Sequence, residues 1–104
     1  MKTILLICSA GMSTNLLVLK MEEAAKEEGI EVKIIAIPSS TCAEVINDVD
    51  IALLSPQVRF QRAKIQELVD HREGGPIPIG LIDMKDYSTM NGKAVFDKAL
   101  SLLK

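Results

Sequence analysis

The fold of this chain is decided near its start by one stretch, Thr3-Ile4-Leu5-Leu6-Ile7-Cys8-Ser9-Ala10-Gly11-Met12-Ser13-Thr14. Its first five residues carry no charge and favour extended backbone, so they predict a strand buried on both faces. A helical pattern follows, which places Cys8 in the turn between a strand and a helix. Such a turn gathers backbone N–H groups at the positive end of a helix dipole, where a thiolate is favoured and an anion can be held. The stretch therefore predicts a cysteine nucleophile beside an anion site.

Apolar runs that read as strands alternate with helical patterns along the rest of the chain. The predicted strands are Thr3–Ile7, Glu31–Ile37, Ile51–Leu54 and Ile77–Leu81. Short strand–helix–strand connections imply right-handed crossovers and a parallel sheet with helices on both faces. We therefore predict an α/β fold of the flavodoxin-like kind, with a four-stranded sheet in the order 2-1-3-4.

Amphipathic spacing predicts the helices. The first runs from about Thr14 to Glu28 and ends at Gly29, with an apolar face made of Leu17, Met21, Ala24 and Ala25. Another is expected from about Arg59 to Asp70, anchored by Ile65, Leu68 and Val69. The last lies near the C-terminus, on the spacing of Val95, Ala99, Leu102 and Leu103. The segment Thr41–Asn47 also fits a short helix.

In sheets of this kind, ligands bind beyond the carboxyl ends of the strands, at the point where the strand order reverses. That point lies here between the first and third strands. Two loops meet there, Cys8–Thr14 and the Ser55-Pro56-Gln57-Val58 segment. Gln57 is therefore a candidate contact for a phosphate or a partner, with a simple turn residue as the equal alternative.

Composition narrows the class of protein. The 104 residues predict a single domain, 1–104, and the net charge of −2 argues against a nucleic-acid partner. No apolar run approaches the roughly 20 residues of a membrane-spanning helix, and we expect no secretory signal. Two cysteines and one histidine do not form a zinc site, so no metal is expected. We expect a cytoplasmic protein with both thiols reduced.

A nucleophile beside a phosphate-sized anion site suggests phosphoryl transfer through Cys8, and three other interpretations have to be weighed against this one. The plainest is a small buried side chain at a strand end. A hydrolase or reductase of phosphate or arsenate esters is the second, but cysteine phosphatases place an arginine after five intervening residues, where this chain has Thr14. The chain also lacks an Asp-Pro pair for a general acid. Without the arginine that clamps the phosphoryl group and without a general acid, a phosphocysteine would form but hydrolyse slowly. The third is a non-catalytic module that binds anions or senses oxidation.

The stretch from Leu6 to Leu17 resembles the phosphocysteine loop of the IIB components of the lactose/cellobiose (chitobiose) class of the bacterial sugar phosphotransferase system. The resemblance extends over essentially the full chain, and it implies a fold similar to that of low-molecular-weight phosphatases. It implies a phosphotransferase in which Cys8 accepts a phosphoryl group from a histidine of a IIA component, without a soluble cofactor. Cys8 would then pass the group to a disaccharide held by the membrane component IIC, so membrane association is peripheral. The implied phosphate-binding residues are Ser9, Ala10, Gly11, Met12, Ser13 and Thr14.

A few other residues invite a functional interpretation. Cys42 could form a disulfide with Cys8, although a packed cysteine at a helix start is the simpler interpretation. His71 is expected to be an exposed capping residue rather than a phosphoryl acceptor. Because one face of a small carrier meets both partners in turn, we expect a monomer. The sugar is held by the permease, so cellobiose, chitobiose and lactose all stay open, with the resemblance favouring the first two.

Overall fold

A computed structural model of the chain describes residues 1–9 and 12–103. A four-stranded parallel sheet forms its centre, with the strand order β2-β1-β3-β4. This confirms the predicted fold class and strand order. The strands are β1 Lys2–Cys8, β2 Val32–Pro38, β3 Ile51–Leu54 and β4 Ile79–Leu81.

The fourth strand is shorter than predicted. We expected Ile77–Leu81, but β4 starts only at Ile79. Pro76 and Pro78 cannot donate a backbone hydrogen bond to the ladder, so the chain before Ile79 does not pair as a strand. The Pro78 carbonyl still accepts from the Ala52 N–H at 3.1 Å.

The described part of the chain contains four α-helices on the faces of the sheet: α1 Met12–Glu27, α2 Arg62–Asp70, α3 Met84–Ser88 and α4 Gly92–Leu103. It also contains three 3₁₀ helices, at Ser39–Glu44, Ile46–Asp48 and Pro56–Gln61. The predicted helix at Arg59–Asp70 therefore divides at Arg62. Its first three residues belong to a 3₁₀ helix, and Gln61, with φ −93° and ψ 6°, interrupts the α-helical backbone before α2. The expected helix at Thr41–Asn47 is two 3₁₀ helices separated at Val45. Sequence patterning missed α3, which is too short to show amphipathic spacing.

Each face of the sheet has its own apolar core. Alternate residues of β1 point to opposite sides, because the side-chain period of a strand is two. Ile4 and Leu6 pack with α1 and α4, whose contribution includes Phe96. Leu5 and Ile7 pack with the 3₁₀ helices and α2. Helices thus cover both faces, as predicted, and no helix within residues 1–9 and 12–103 is both long and apolar enough to cross a membrane.

One glycine ends α1, and another allows α4 to pack closely against it. Gly29 has φ +68° and ends α1, with its N–H bonded to the Lys26 carbonyl at 3.1 Å and the Ile30 N–H bonded to the Ala25 carbonyl at 2.9 Å. This is the glycine-terminated helix end that the sequence predicted. Gly92 begins α4 against the backbone of α1, and a Cβ there would lie 2.4 Å from the carbonyl carbon of Lys20. The two helices approach this closely only because residue 92 has no side chain.

Arg72 joins the end of α2 to the segment that leads into β3. Its Nε donates to the Ile46 carbonyl at 2.7 Å, and Nη2 donates to the carbonyls of Asn47 at 2.8 Å and Val49 at 3.1 Å. Its Nη1 donates to the Gly75 carbonyl at 2.7 Å. One planar guanidinium therefore satisfies four backbone carbonyls in a region of irregular backbone, a pattern that an ammonium group cannot reproduce.

Replacing Arg72 should destabilise the protein more than an ordinary surface substitution does. We expect Arg72→Ala to lower the free energy of unfolding by roughly 2–4 kcal/mol, because several charge-assisted hydrogen bonds are lost together. Arg72→Lys should recover only a small part of that loss. Urea unfolding measures both, with the exposed Arg62→Ala as a matched control that changes stability by about 0.5 kcal/mol or less. Equal stability of the Lys variant and the wild type would contradict this role.

Candidate functional site

Cys8 is the last residue of the central strand, so its position is fixed by two neighbouring strands. It pairs in register with Pro38 of β2. Its Sγ donates to the Ile37 carbonyl at 3.7 Å, and the residue is only 2% exposed. The nucleophile predicted from the sequence therefore lies at the carboxyl edge of the sheet but is covered from solvent.

The register places Ser55 directly beside Cys8. Ile7 pairs with Leu54, and the Ser55 N–H continues the ladder by bonding to the Ile7 carbonyl at 2.9 Å. Ser55 keeps extended backbone, with φ −67° and ψ 158°. Strand alternation then orients Cys8 and Ser55 to the same face, the one that α1 and α4 cover. Adjacent strands lie roughly 5 Å apart, so these two side chains are neighbours.

The loop that should hold an anion leads directly into α1. This helix begins at Met12 rather than near Thr14 as predicted, so Met12, Ser13 and Thr14 form its first turn. The first N–H groups of a helix have no partner within it, and they face the end of β1 from which the chain arrives. Ser9 is exposed directly after Cys8. The predicted positions Ala10 and Gly11 lie outside the described residues, and for Met12 and Ser13 only the backbone is described.

Thr14 faces inward and is fully buried. Its hydroxyl lies 3.2 Å from the hydroxyl of Tyr87, and either group can be the donor. Tyr87 belongs to α3, so this hydrogen bond joins the first turn of α1 to the element that follows β4. Nothing in the local sequence indicates this pairing, because 73 residues separate the two positions.

Ser55 has an unusual environment for a serine. It precedes the 3₁₀ helix Pro56–Gln61 as its N-cap residue, yet its side chain makes no capping hydrogen bond. It is fully buried, and its Oγ has no hydrogen-bond partner within the described part of the chain. A buried hydroxyl left in this state costs about 1–3 kcal/mol. Sequence reasoning did not single out Ser55, because a serine before a proline reads as an ordinary turn residue.

The remaining candidates lie apart from Cys8 or have structural partners. Gln57 is exposed just beyond β3, on the carboxyl side of the sheet, as the sequence predicted. Cys42 is buried in the core between the sheet and α2, and its Sγ donates to the Ser39 carbonyl at 3.3 Å. His71 is exposed at the end of α2, where its Nδ1 lies 2.9 Å from the Glu67 carbonyl oxygen. Cys42 is thus a packing residue and His71 a capping residue.

The site combines a thiol, hydroxyl groups and the N–H groups of a helix N-terminus. These groups suit the transfer of a phosphoryl group to sulfur, because positioning and neutral hydrogen-bond donors supply most of the catalysis of such a transfer. Within residues 1–9 and 12–103, no group of three or more His, Cys, Asp or Glu side chains is arranged to bind a metal ion. Asp83 caps α3 by accepting from the Lys85 N–H at 2.8 Å.

Comparison with known proteins identifies the family. A family model described as the lactose/cellobiose-specific IIB subunit of the phosphotransferase system matches residues 3–98. This chain belongs to that IIB family. It is therefore a phosphotransferase, a phosphate-carrying component of a sugar phosphotransferase system, and the resemblance noted from the residues is confirmed. Components of this kind work with the IIA and IIC partners of the same system.

Individual relatives are similar in sequence to this chain over nearly their full length. The chain is 40% identical to the oligo-β-mannoside-specific EIIB component of Bacillus subtilis, covering 99% of this chain and 97% of that protein. It is 36% identical to the cellobiose-specific EIIB component of Lactococcus lactis, covering 98% and 96%.

Solved structures agree as well. The cellobiose-specific IIB protein of Borrelia burgdorferi is 40% identical, with a TM-score of 0.78 over 98% of this chain and 91% of that one. The lactose-specific IIB domain of Streptococcus pneumoniae shares the fold at a TM-score of 0.86 and 15% identity, over 99% of this chain and 98% of that one. At that identity, the likeness concerns the fold alone.

The second cysteine gives a pH-dependent signature that separates it from the site. Burial raises the pKa of the Cys42 thiol above its ordinary 9.0. The unfolded chain then releases this proton at a lower pH than the folded protein does. The stability of the wild type relative to Cys42→Ser should be constant below about pH 8 and should fall as the pH rises from about 9 through the folded-state pKa. Urea unfolding of both proteins from about pH 7 to about pH 10.5 tests this. Parallel curves of unfolding free energy against pH for the two proteins would contradict it.

Proposed function

We propose that Cys8 is the phosphoryl acceptor of this IIB component and that the first turn of α1 binds the phosphoryl oxygens. The position of Cys8 carries this proposal: it ends the central strand, beside the N-terminus of α1. The Cys8 thiolate attacks the phosphorus of a phosphohistidine on the IIA component. The S–P bond forms as the P–N bond breaks, and the imidazole keeps the electron pair.

Ser9, Ala10, Gly11, Met12, Ser13 and Thr14 form the proposed phosphate-binding segment. Helix N–H groups and loop amides are fixed donors that need no reorganisation when the charged group arrives. In the second step a sugar hydroxyl attacks the phosphorus, the S–P bond breaks and the thiolate is restored. The hydroxyl proton leaves to a base on the IIC component, which holds the sugar. Oligo-β-mannoside, cellobiose and galactose systems all occur among the relatives, and we propose a β-linked disaccharide of the cellobiose or chitobiose kind.

The absence of an arginine at position 14 favours transfer over hydrolysis. A guanidinium there would clamp the phosphoryl group and stabilise attack by water. Thr14 is instead buried and bonded to Tyr87. We propose accordingly that the phosphocysteine is long-lived in water, and that the phosphatase-like alternative does not describe this chain.

Exposed apolar side chains mark the proposed partner surface. Phe60 is 78% exposed in the 3₁₀ helix after β3, Met84 is 55% exposed at the start of α3, and Leu16 is 47% exposed on α1. All three belong to elements that leave the carboxyl edge of the sheet, the edge that carries Cys8. We propose that IIA and IIC dock on this edge in turn, with Gln57 as a polar contact. Because one face serves both partners, residues 1–104 act as one monomeric unit in the cytoplasm.

Substitution of the acceptor tests the proposal directly. Cys8→Ser should take up no phosphoryl group from a phosphorylated IIA component, because a serine hydroxyl is not ionised at neutral pH. The matched control Cys42→Ser should be labelled like the wild type. Intact-protein mass and phosphorus NMR measure uptake and distinguish a thiophosphate from phosphohistidine. Labelling of Cys8→Ser at the wild-type rate would contradict the proposal that Cys8 is the acceptor. Steady turnover of an aryl phosphate by the wild type would support a hydrolase instead.

The docking surface is tested at Phe60. We expect Phe60→Ala to lower kcat/KM for phosphoryl transfer from the IIA component by roughly tenfold, because a large exposed aromatic side chain is a common anchor of an interface. Phe60→Tyr should retain most of the wild-type rate. Stability should change little, since the side chain is mostly exposed. Phosphorylation by phosphoramidate, a small donor that needs no docking, should be equal in all three proteins. An unchanged rate with IIA would exclude Phe60 from the interface.

A further inference from the structure

Two polar residues in the described part of the chain are fully buried: Thr14 in the first turn of α1, and Ser55, which the sheet register places beside Cys8. Thr14 bonds to Tyr87, so its hydroxyl has a partner in the protein as it stands. Ser55 differs, because its Oγ is buried and has no partner among the described residues. A polar group that lies in an apolar core and stays unpaired calls for an explanation.

The backbone of Ser55 is fully occupied, so only the side chain is available. The N–H bonds to the Ile7 carbonyl at 2.9 Å, and the carbonyl accepts from the Val58 N–H at 3.1 Å. The hydroxyl does not cap the 3₁₀ helix that follows, although that is the usual role of a serine in this position. It also makes no hydrogen bond to Cys8 in the unphosphorylated protein.

The sheet register shows what the hydroxyl can reach. Cys8 and Ser55 follow the paired residues Ile7 and Leu54 on neighbouring strands. Both side chains point to the face that α1 and α4 cover. Ile82 follows β4 and is the next residue across the sheet from Ser55. Its side chain belongs to the apolar core on that same face, and its N–H is bonded to the Leu54 carbonyl, so it offers the Ser55 hydroxyl no hydrogen bond. A phosphoryl group added to the sulfur would bring three acceptor oxygens to the side of Ser55.

We propose that Ser55 is a phosphate-binding residue whose hydroxyl donates a hydrogen bond to the phosphoryl group on Cys8. This rests on the proposed function of Cys8. Ser55 favours the phosphorylated state because its hydroxyl has no partner before phosphorylation and has one afterwards. It thereby shifts the phosphoryl equilibrium between the IIA histidine and Cys8 toward Cys8.

The test compares Ser55→Ala with wild type in a mixture with a phosphorylated IIA component. At equilibrium, the ratio of phosphorylated Cys8 to phosphorylated IIA should fall by roughly tenfold in the variant, because a hydrogen bond to a charged group is lost. Phosphorus NMR measures both species. The matched control Ser101→Ala, an exposed serine on α4, should leave the ratio unchanged. The thermal midpoint of unphosphorylated Ser55→Ala should be equal to or above that of the wild type.

An unchanged ratio in Ser55→Ala would overturn the role of Ser55, even while Cys8 is phosphorylated normally. Failure of the wild type to accept phosphate on Cys8 would instead overturn the proposed function, so the two failures are distinguishable. If the variant does not fold, wild-type protein still decides the matter. Phosphorylation should then shift the ¹³Cβ resonance of Ser55 strongly and that of Ser101 not at all. Equal, negligible shifts at both serines would also overturn the proposal.

Discussion

The structure depends on the burial of β1 between two strands and two helical layers. Five successive residues, 4–8, are buried in this strand, so it can occupy only the centre of a parallel sheet. Its register with β2 and β3 then fixes where the strand ends, and the last position is Cys8. A thiol at the end of a central strand is held in place because the strand is hydrogen-bonded to a neighbour on each side. A thiol on a free loop would lack this support.

The same register explains why polar side chains occur in an otherwise aliphatic layer. Thr14, Ser55 and Tyr87 lie at one end of the core that α1 and α4 form against the sheet, and the rest of that core is apolar. Burial of hydroxyl groups weakens a core unless they are paired. Their restriction to the end nearest Cys8 indicates a site, because a requirement of packing alone would be met better by aliphatic residues.

Features carried by local patterns could be predicted from sequence, and features carried by long-range pairing could not. The β3 bounds, the Gly29 helix end and the strand order follow from apolar runs, a glycine and short connections. The shortened β4 depends on two prolines that cannot join the ladder, and the division before Arg62 depends on the backbone angles of Gln61. Cys8 was visible because its neighbours in sequence carry the motif. The position of Ser55 beside Cys8 and the Thr14–Tyr87 pair were not visible, since sheet register and helix packing bring those residues together.

A phosphate carrier must hold its phosphoryl group firmly enough to receive it and loosely enough to release it. Neutral donors suit this requirement, because a hydroxyl or amide stabilises a dianion less than a guanidinium does. Position 14 illustrates the constraint: it is fully buried against Tyr87, where a threonine fits and a long charged side chain would lack both room and solvation. The Thr14–Tyr87 contact between α1 and α3 therefore disfavours the arginine clamp of a phosphatase. Under the proposed function of Cys8, this one buried contact favours passing the phosphoryl group to a partner over losing it to water.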